Sequence, residues 1–218
     1  NNVDVGFAFD WDGDRVLAVD AKGNIVDGDK IMFILAKHLK EQGELKDNMV
    51  VSTVMSNIGF YKAIEENELQ SIKTAVGDRY VVEEMRKNDY SLGGEQSGHI
   101  VLMNYATTGD VILTAVKLAN IIKTSGKSLE ELASEVSIYP QKLVNIKVVD
   151  KKTAMEDAEI LAECEKVEKE LEGNGRILLR ASGTENLIRV MVEASSDELT
   201  DKYCEQVAKI VREKFEVK

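Results

Sequence analysis

Three carboxylates recur at alternate positions where a short apolar run ends: Val5–Phe9 leads into Asp10-Trp11-Asp12-Gly13-Asp14-Arg15. On an extended segment, alternate residues project to one side, so Asp10, Asp12 and Asp14 crowd their charges together. Like charges about 4 Å apart repel by about 1 kcal/mol even in water, and by more where partly buried. A hard divalent cation with oxygen ligands relieves that repulsion. A solvated acidic turn is the plainer reading. An EF-hand is excluded, because counting from Asp10 the required glycine falls on Arg15 and the required glutamate on Ala21. A phosphatase-type D-x-D motif also follows an apolar strand, but it places Thr or Val where this chain has Asp14.

Arg180-Ala181-Ser182-Gly183-Thr184-Glu185, with Arg189 beyond, suits an anion. Two hydroxyls, a conformationally permissive glycine and turn amides make an anion-sized concavity. The flanking arginines add charge-assisted bonds of roughly 1.5–3 kcal/mol each. An ordinary hairpin with an exposed Ser-Gly turn is the alternative. A third segment, Gly93-Gly94-Glu95-Gln96-Ser97-Gly98-His99, offers Glu95 and Ser97 to sugar hydroxyls or an amine. His99 could there move protons near neutral pH. Taken alone, this segment reads equally as a glycine-rich turn between strands. Val76-Gly77-Asp78-Arg79 and Met55-Ser56-Asn57 carry weaker signals, Asp78 serving equally as a helix cap. His38 sits in an amphipathic helix and reads as structural.

The elements that must position these residues follow from periodicity and punctuation. Strands are expected at Val5–Phe9, Val16–Asp20 and Ile25–Val26. Asp29 is expected to cap a helix running to Gln42, with Ile31, Ile34, Leu35 and Leu39 on one face and Gly43 as its stop. Strands at Met49–Val54 and Ser71–Val76 alternate with helices at Asn57–Glu66 and Arg79–Asn88, the pattern of a parallel sheet. A helix over Asp110–Thr124 and a capping box, Ser128 with Glu131, follow. The pattern changes at Ile138-Tyr139-Pro140, which holds the only proline. Beyond it come a strand (Leu143–Val149), a helix (Ala154–Leu171) opened by a Thr153/Glu156 capping box, two strands (Arg176–Ala181, Leu187–Ala194) and a last helix through Leu199, Tyr203, Val207 and Val211. The expected fold class is therefore α/β: a mixed, parallel-type α/β domain, then a small α+β domain of antiparallel sheet and two helices.

Composition narrows the function classes. With 44% hydrophobic residues among 218, the chain can bury a real core. A net charge of −11 disfavours generic nucleic-acid binding. No apolar run is long enough to span a bilayer. Asn1-Asn2-Val3-Asp4 does not read as a secretion signal, and two cysteines, Cys164 and Cys204, fit a reducing cytoplasm.

Taken in order, Asp10–Arg15, Met55-Ser56-Asn57, Val76–Tyr80, Gly94–His99, Thr107-Thr108-Gly109-Asp110 and Arg180–Glu185 resemble the α-D-phosphohexomutase superfamily, over nearly the whole chain. Within it the likeness is to the branch that interconverts glucosamine 6-phosphate and glucosamine 1-phosphate. The resemblance implies a phosphoserine that passes its phosphoryl group to the sugar, through a bisphosphate intermediate. It implies Mg²⁺ held by Asp10, Asp12 and Asp14, with Arg15 and His99 as catalytic residues. It assigns Asp78, Arg79, Glu95, Ser97, Arg180, Ser182, Gly183, Thr184 and Arg189 to substrate. It also implies that residues 1–26 end a second mutase domain and carry the metal loop. Residues 27–138 would form the sugar-binding third domain, and 139–218 the phosphate-binding fourth.

Three departures stand out. Trp11 occupies a position usually held by a small residue, and Asn186 replaces a usual proline. No Ser-His-Asn-Pro type loop occurs. The chain is therefore expected to be a C-terminal portion, inactive alone, whose partners are a phosphosugar and the missing N-terminal mutase domains; a homodimer is left open. The alternatives are a phosphomannomutase/phosphoglucomutase and a non-catalytic phosphosugar-binding module.

Overall fold

The computed structural model describes residues 3–217. The chain divides between Ile138 and Tyr139 into two compact units.

The first unit opens with an antiparallel sheet of β1 (Val5–Phe9), β2 (Val16–Asp20) and β3 (Ile25–Val26). β2 is central, and its alternation puts Val16, Ala18 and Asp20 inward. Helix α1 (Gly28–Glu41) follows, and its cap differs from expectation. Asp27, not Asp29, accepts from the Lys30 N–H. Asp29 lies fully buried in the first turn, where it accepts from the Asn57 N–H at 2.7 Å. Two aspartates two residues apart compete for one cap, and the tertiary partner of Asp29 decides between them.

A second sheet runs in the order β5-β4-β6-β7, from β4 (Met49–Thr53), β5 (Gln70–Thr74), β6 (Leu92–Gly94) and β7 (Ile100–Leu102). β5, β4 and β6 are parallel, while β7 returns antiparallel to β6. This sheet is thus mixed rather than wholly parallel. The short reversal from Glu95 to His99 forces that, since a parallel return needs a crossover of a dozen residues or so. Alternate residues of β4 face different helices. Val50 joins Phe33, Leu35 and Phe60 beneath α1 and α2 (Ile58–Glu66). Val51 meets Val81 and Met85 of α3 (Asp78–Asn88). Burying each such side chain contributes roughly 1.5–3 kcal/mol. Helices α4 (Val111–Ser125), capped by Asp110, and α5 (Leu129–Ala133), with the Ser128/Glu131 capping box in place, complete the unit.

The second unit is an antiparallel sheet, β8-β10-β9, of β8 (Gln141–Lys147), β9 (Gly175–Ala181) and β10 (Leu187–Ala194). Ile188, Val190, Val192 and Ala194 pack with Val167, Val207 and Val211 of α7 (Ala158–Leu171) and α8 (Asp197–Phe215). The expected single helix from Ala154 is broken. A short α6 (Lys151–Met155) is capped by Asp150, and α7 starts afresh from Asp157. No Thr153/Glu156 capping box forms, because the Thr153 hydroxyl donates to the Asp150 carboxylate at 2.6 Å.

Candidate functional site

The acidic loop between β1 and β2 is folded around Asp10. One of its carboxylate oxygens accepts the Asp14 N–H at 3.1 Å and the Arg15 N–H at 3.0 Å. The Arg15 amide leads in holding the Asp10 carboxyl below the usual carboxylate range, with the neighbouring aspartates contributing. Gly13, at φ +72°, turns the chain back. Asp10, Asp12 and Asp14 each bring a carboxylate oxygen within 4.8 Å of the others. Oxygens sharing one Mg²⁺ or Ca²⁺ lie no more than about 4–5 Å apart, so the spacing and the all-oxygen donor set suit a hard cation. Trp11, between two of these residues, is 98% exposed.

His99 stands behind this loop. It is buried, and its Nδ1 lies 3.2 Å from an Asp14 carboxylate oxygen. Gly109 packs on the imidazole so closely that a Cβ there would come within 2.6 Å of Cε1. This accounts for the glycine of Thr107-Thr108-Gly109-Asp110. The geometry gives His99 a grip on Asp14 rather than a place in the cleft.

The cleft beside the acidic loop has a volume of about 510 Å³ and is lined by Arg15, Leu17, Asp27, Thr53, Met55, Val76, Glu95, Gln96 and Ser97. A smaller one of about 250 Å³ joins Asp10 to Arg15, Leu17 and Ser97. Arg15, Leu17 and Ser97 are common to both, so the acidic loop and the Glu95 turn face a shared space. Backbone bonds hold that turn in place. Val16 N–H donates to Gly98 O at 3.1 Å, and Gly28 N–H to Gln96 O at 3.0 Å. Two glycines permit the approach: a Cβ on Gly28 would lie 2.1 Å from Glu95 O, and one on Gly98, at φ +98°, would lie 2.3 Å from Val16 O. Glu95 itself accepts the Gly77 N–H at 3.1 Å, which also ties down the start of α3.

Other expected site residues lie apart. Gly77, at φ +132°, occupies the cap position of α3, and Asp78 is the first helical residue. Asp78 and Arg79 are exposed, and Arg79 is paired with Glu83 at 2.7 Å, outside the cleft lining. Asp27 went unmarked in the sequence as a site residue. It lines the cleft, accepts from Gln96 Nε2 at 3.4 Å, and has its carboxyl pushed up by burial. An Asp two residues ahead of another masked it.

In the second unit, Arg180 and Arg189 stand directly opposite each other on β9 and β10, on the face away from α7 and α8. At the other end of that face Arg176 meets buried Glu193 at 2.7 Å. Among the described residues, Arg180 and Arg189 have no such acid, and the Arg189 Nε is enclosed without a hydrogen-bond partner. Burial, and then the charge of Arg189, push the Arg180 guanidinium below its usual value. Two cations and an unpartnered donor on one face have the chemistry to receive an anion. The adjoining loop is drawn tight: Ser182 N–H donates to Leu187 O at 2.9 Å, and the Ser182 hydroxyl accepts the Glu185 N–H at 3.2 Å. Gly183 does not adopt the left-handed conformation that its type would permit; it leaves open space in front of the backbone. Lys151, which nothing in the sequence marked, reaches this loop from α6.

No described helix is long and apolar enough to cross a membrane. Two family models match the chain: "Phosphoglucomutase/phosphomannomutase, alpha/beta/alpha domain III" over residues 27–139, and the "C-terminal domain" of the same family over 143–210. A phosphoglucosamine mutase of Leuconostoc mesenteroides is 62% identical over 98% of this chain and 47% of its own length. One from Anoxybacillus flavithermus is 61% identical over 97% and 47%. The chain thus spans about half the length of the curated relatives it matches. Among solved structures, Aspergillus fumigatus N-acetylphosphoglucosamine mutase in complex with GlcNAc-6P and magnesium superimposes with a TM-score of 0.79 at 22% identity, over 94% of this chain and 51% of that one. This is a likeness of fold.

Proposed function

The chain belongs to the phosphoglucomutase/phosphomannomutase family, and from that premise we propose that it serves the interconversion of glucosamine 6-phosphate and glucosamine 1-phosphate. The observation that carries the reading is the acidic triad opening, through Arg15 and Ser97, onto a cleft large enough for a hexose phosphate. The names of relatives at about 60% identity support the sugar.

Asp10, Asp12 and Asp14 would hold Mg²⁺, which when bound neutralises charge developing on a phosphoryl group. Arg15 binds oxygens of the group in transfer. Its neighbour Ser97 and the free acceptor capacity of Glu95 hold sugar hydroxyls, with Asp27 and Gln96 on the cleft wall. His99 is a positioning residue, fixing the Asp14 carboxylate through Nδ1. Arg180, Arg189, Ser182, Gly183 and Thr184 hold the phosphate that is not reacting, since phosphoryl transfer demands positioning and charge neutralisation above all. Asp78 and Arg79 stand outside this set. The serine that carries the phosphoryl group in the family belongs to a Ser-His-Asn-Pro type loop, which this sequence lacks. The N-terminal mutase domains are accordingly its proposed partner, and two unpaired thiols, Cys164 and Cys204, suit a cytoplasmic setting.

The test is conversion of glucosamine 6-phosphate by the purified chain with Mg²⁺ and a sugar bisphosphate. It is repeated with the N-terminal half of a relative supplied in trans. Activity is expected only in the second case. Turnover by the chain alone, abolished by Asp10→Asn, would instead favour a phosphatase-like aspartyl nucleophile and overturn the proposal.

A further inference from the structure

We infer that Lys151 is a positioning residue for anion binding: it turns the peptide units of the 182–186 loop so that their N–H groups, not their carbonyls, face the ligand. The inference rests on the phosphate-loop reading above. Lys151 Nζ donates to Ser182 O at 2.8 Å and to Glu185 O at 3.0 Å, one carbonyl at each end of the exposed stretch. In a planar trans peptide the C=O and the following N–H point in opposite directions. Holding Ser182 O therefore directs Gly183 N–H away from the ammonium, and holding Glu185 O does the same for Asn186 N–H. The chain just ahead of Lys151 secures the end of the loop as well. Val148 N–H donates to Asn186 O at 3.0 Å, and Asn186 Nδ2 donates to Val149 O at 3.3 Å.

The arrangement solves a specific problem. A carbonyl oxygen pointing at a phosphate repels it, and a glycine-containing turn flips its peptide units readily. Gly183 has no atom within 4 Å of where a Cβ would lie, so packing does not restrain it. The ammonium supplies the missing restraint, drawing two carbonyls away from the anion. Asn186, where the family usually has proline, ties its end of the loop to Val149 through its side chain. Lys151 and the arginines thus divide the work: Arg180 and Arg189 supply charge from the strands, and Lys151 orients the backbone.

The experiment titrates inorganic phosphate into the whole chain and follows the amide NMR signals of Gly183, Thr184 and Asn186, for the wild type and for Lys151→Met, Lys151→Gln and Lys151→Arg. Thermal midpoints are recorded without phosphate. Lys151→Met should weaken phosphate about tenfold, which is about 1.4 kcal/mol. Lys151→Arg, able to donate to both carbonyls, should stay within about threefold of the wild type, and Lys151→Gln, with a single donor group and no charge, should fall between. Wild-type affinity in Lys151→Met or Lys151→Gln, whatever their midpoints, overturns the inference and leaves the phosphate loop standing. If Lys151→Met does not fold, Lys151→Gln and Lys151→Arg decide alone. Absence of phosphate binding by the wild type overturns the loop reading itself, and the inference with it.

Discussion

Replacing Arg189 with methionine should make the free protein more stable while abolishing its response to phosphate. Arg189 Nε is enclosed without a partner, and Arg180 lies directly opposite on the neighbouring strand. A buried donor left unsatisfied costs about 1–3 kcal/mol. Like charges directly opposite across a strand pair add about 0.2–1 kcal/mol. Methionine fills a similar slot with an adaptable, uncharged chain, and imperfect repacking should take back less than about 1.5 kcal/mol. The net expectation is a gain of about 1–2 kcal/mol in phosphate-free buffer, worth several degrees of thermal midpoint at about 4–8 °C per kcal/mol for a unit of this size. Phosphate at ten times its dissociation constant should stabilise the wild type by about 1.4 kcal/mol and Arg189→Met hardly at all. Urea unfolding followed by far-ultraviolet circular dichroism, with chloride matching ionic strength, measures both quantities. An Arg189→Met protein that is less stable without phosphate, or that keeps the phosphate-dependent gain, would refute the claim that Arg189 waits for an anion.

Mg²⁺ or Mn²⁺ at millimolar concentration should change the fluorescence of Trp11, which is the only tryptophan and stands between two proposed ligands; Asp12→Asn should remove the change, as titration calorimetry can verify. Gly28→Ala tests the close approach of α1 to the Glu95 turn. Helix propensity alone predicts a gain of up to about 1 kcal/mol, but the Cβ would meet backbone oxygen at 2.1 Å, so a loss of about 1–3 kcal/mol is expected in urea unfolding. Asp27→Asn should flatten the acid side of the stability curve. Burial raises the Asp27 carboxyl above its usual value of 3.8, so its contribution is greatest below that pH and is lost as pH rises through the higher folded value. Asparagine keeps the helix cap without that loss, so the variant should match the wild type near pH 3 and exceed it near neutrality in pH-dependent melts.

The order of strands and helices was legible in the residues themselves, because it rests on local patterning. Short, largely apolar runs mark β2 and β10, and Ser128 meets the first free amides of its helix within three residues. The acidic triad was legible as three carboxylates in one short segment, but what brings their oxygens together is a loop folded around Asp10 and turned at Gly13, not the extended segment expected. Choices between equivalent local options were not. Asp27 rather than Asp29 caps α1 because Asn57, nearly thirty residues away, claims Asp29. Asp157 rather than Thr153 opens the long helix because Thr153 gives its hydroxyl to Asp150. The role of His99 depends on Asp14, 85 positions earlier, and that of Lys151 on carbonyls more than thirty positions later. A side chain's type announces what it can donate or accept. Which partner it meets is set by strand register and packing, and these bring together residues whose separation along the chain carries no pattern.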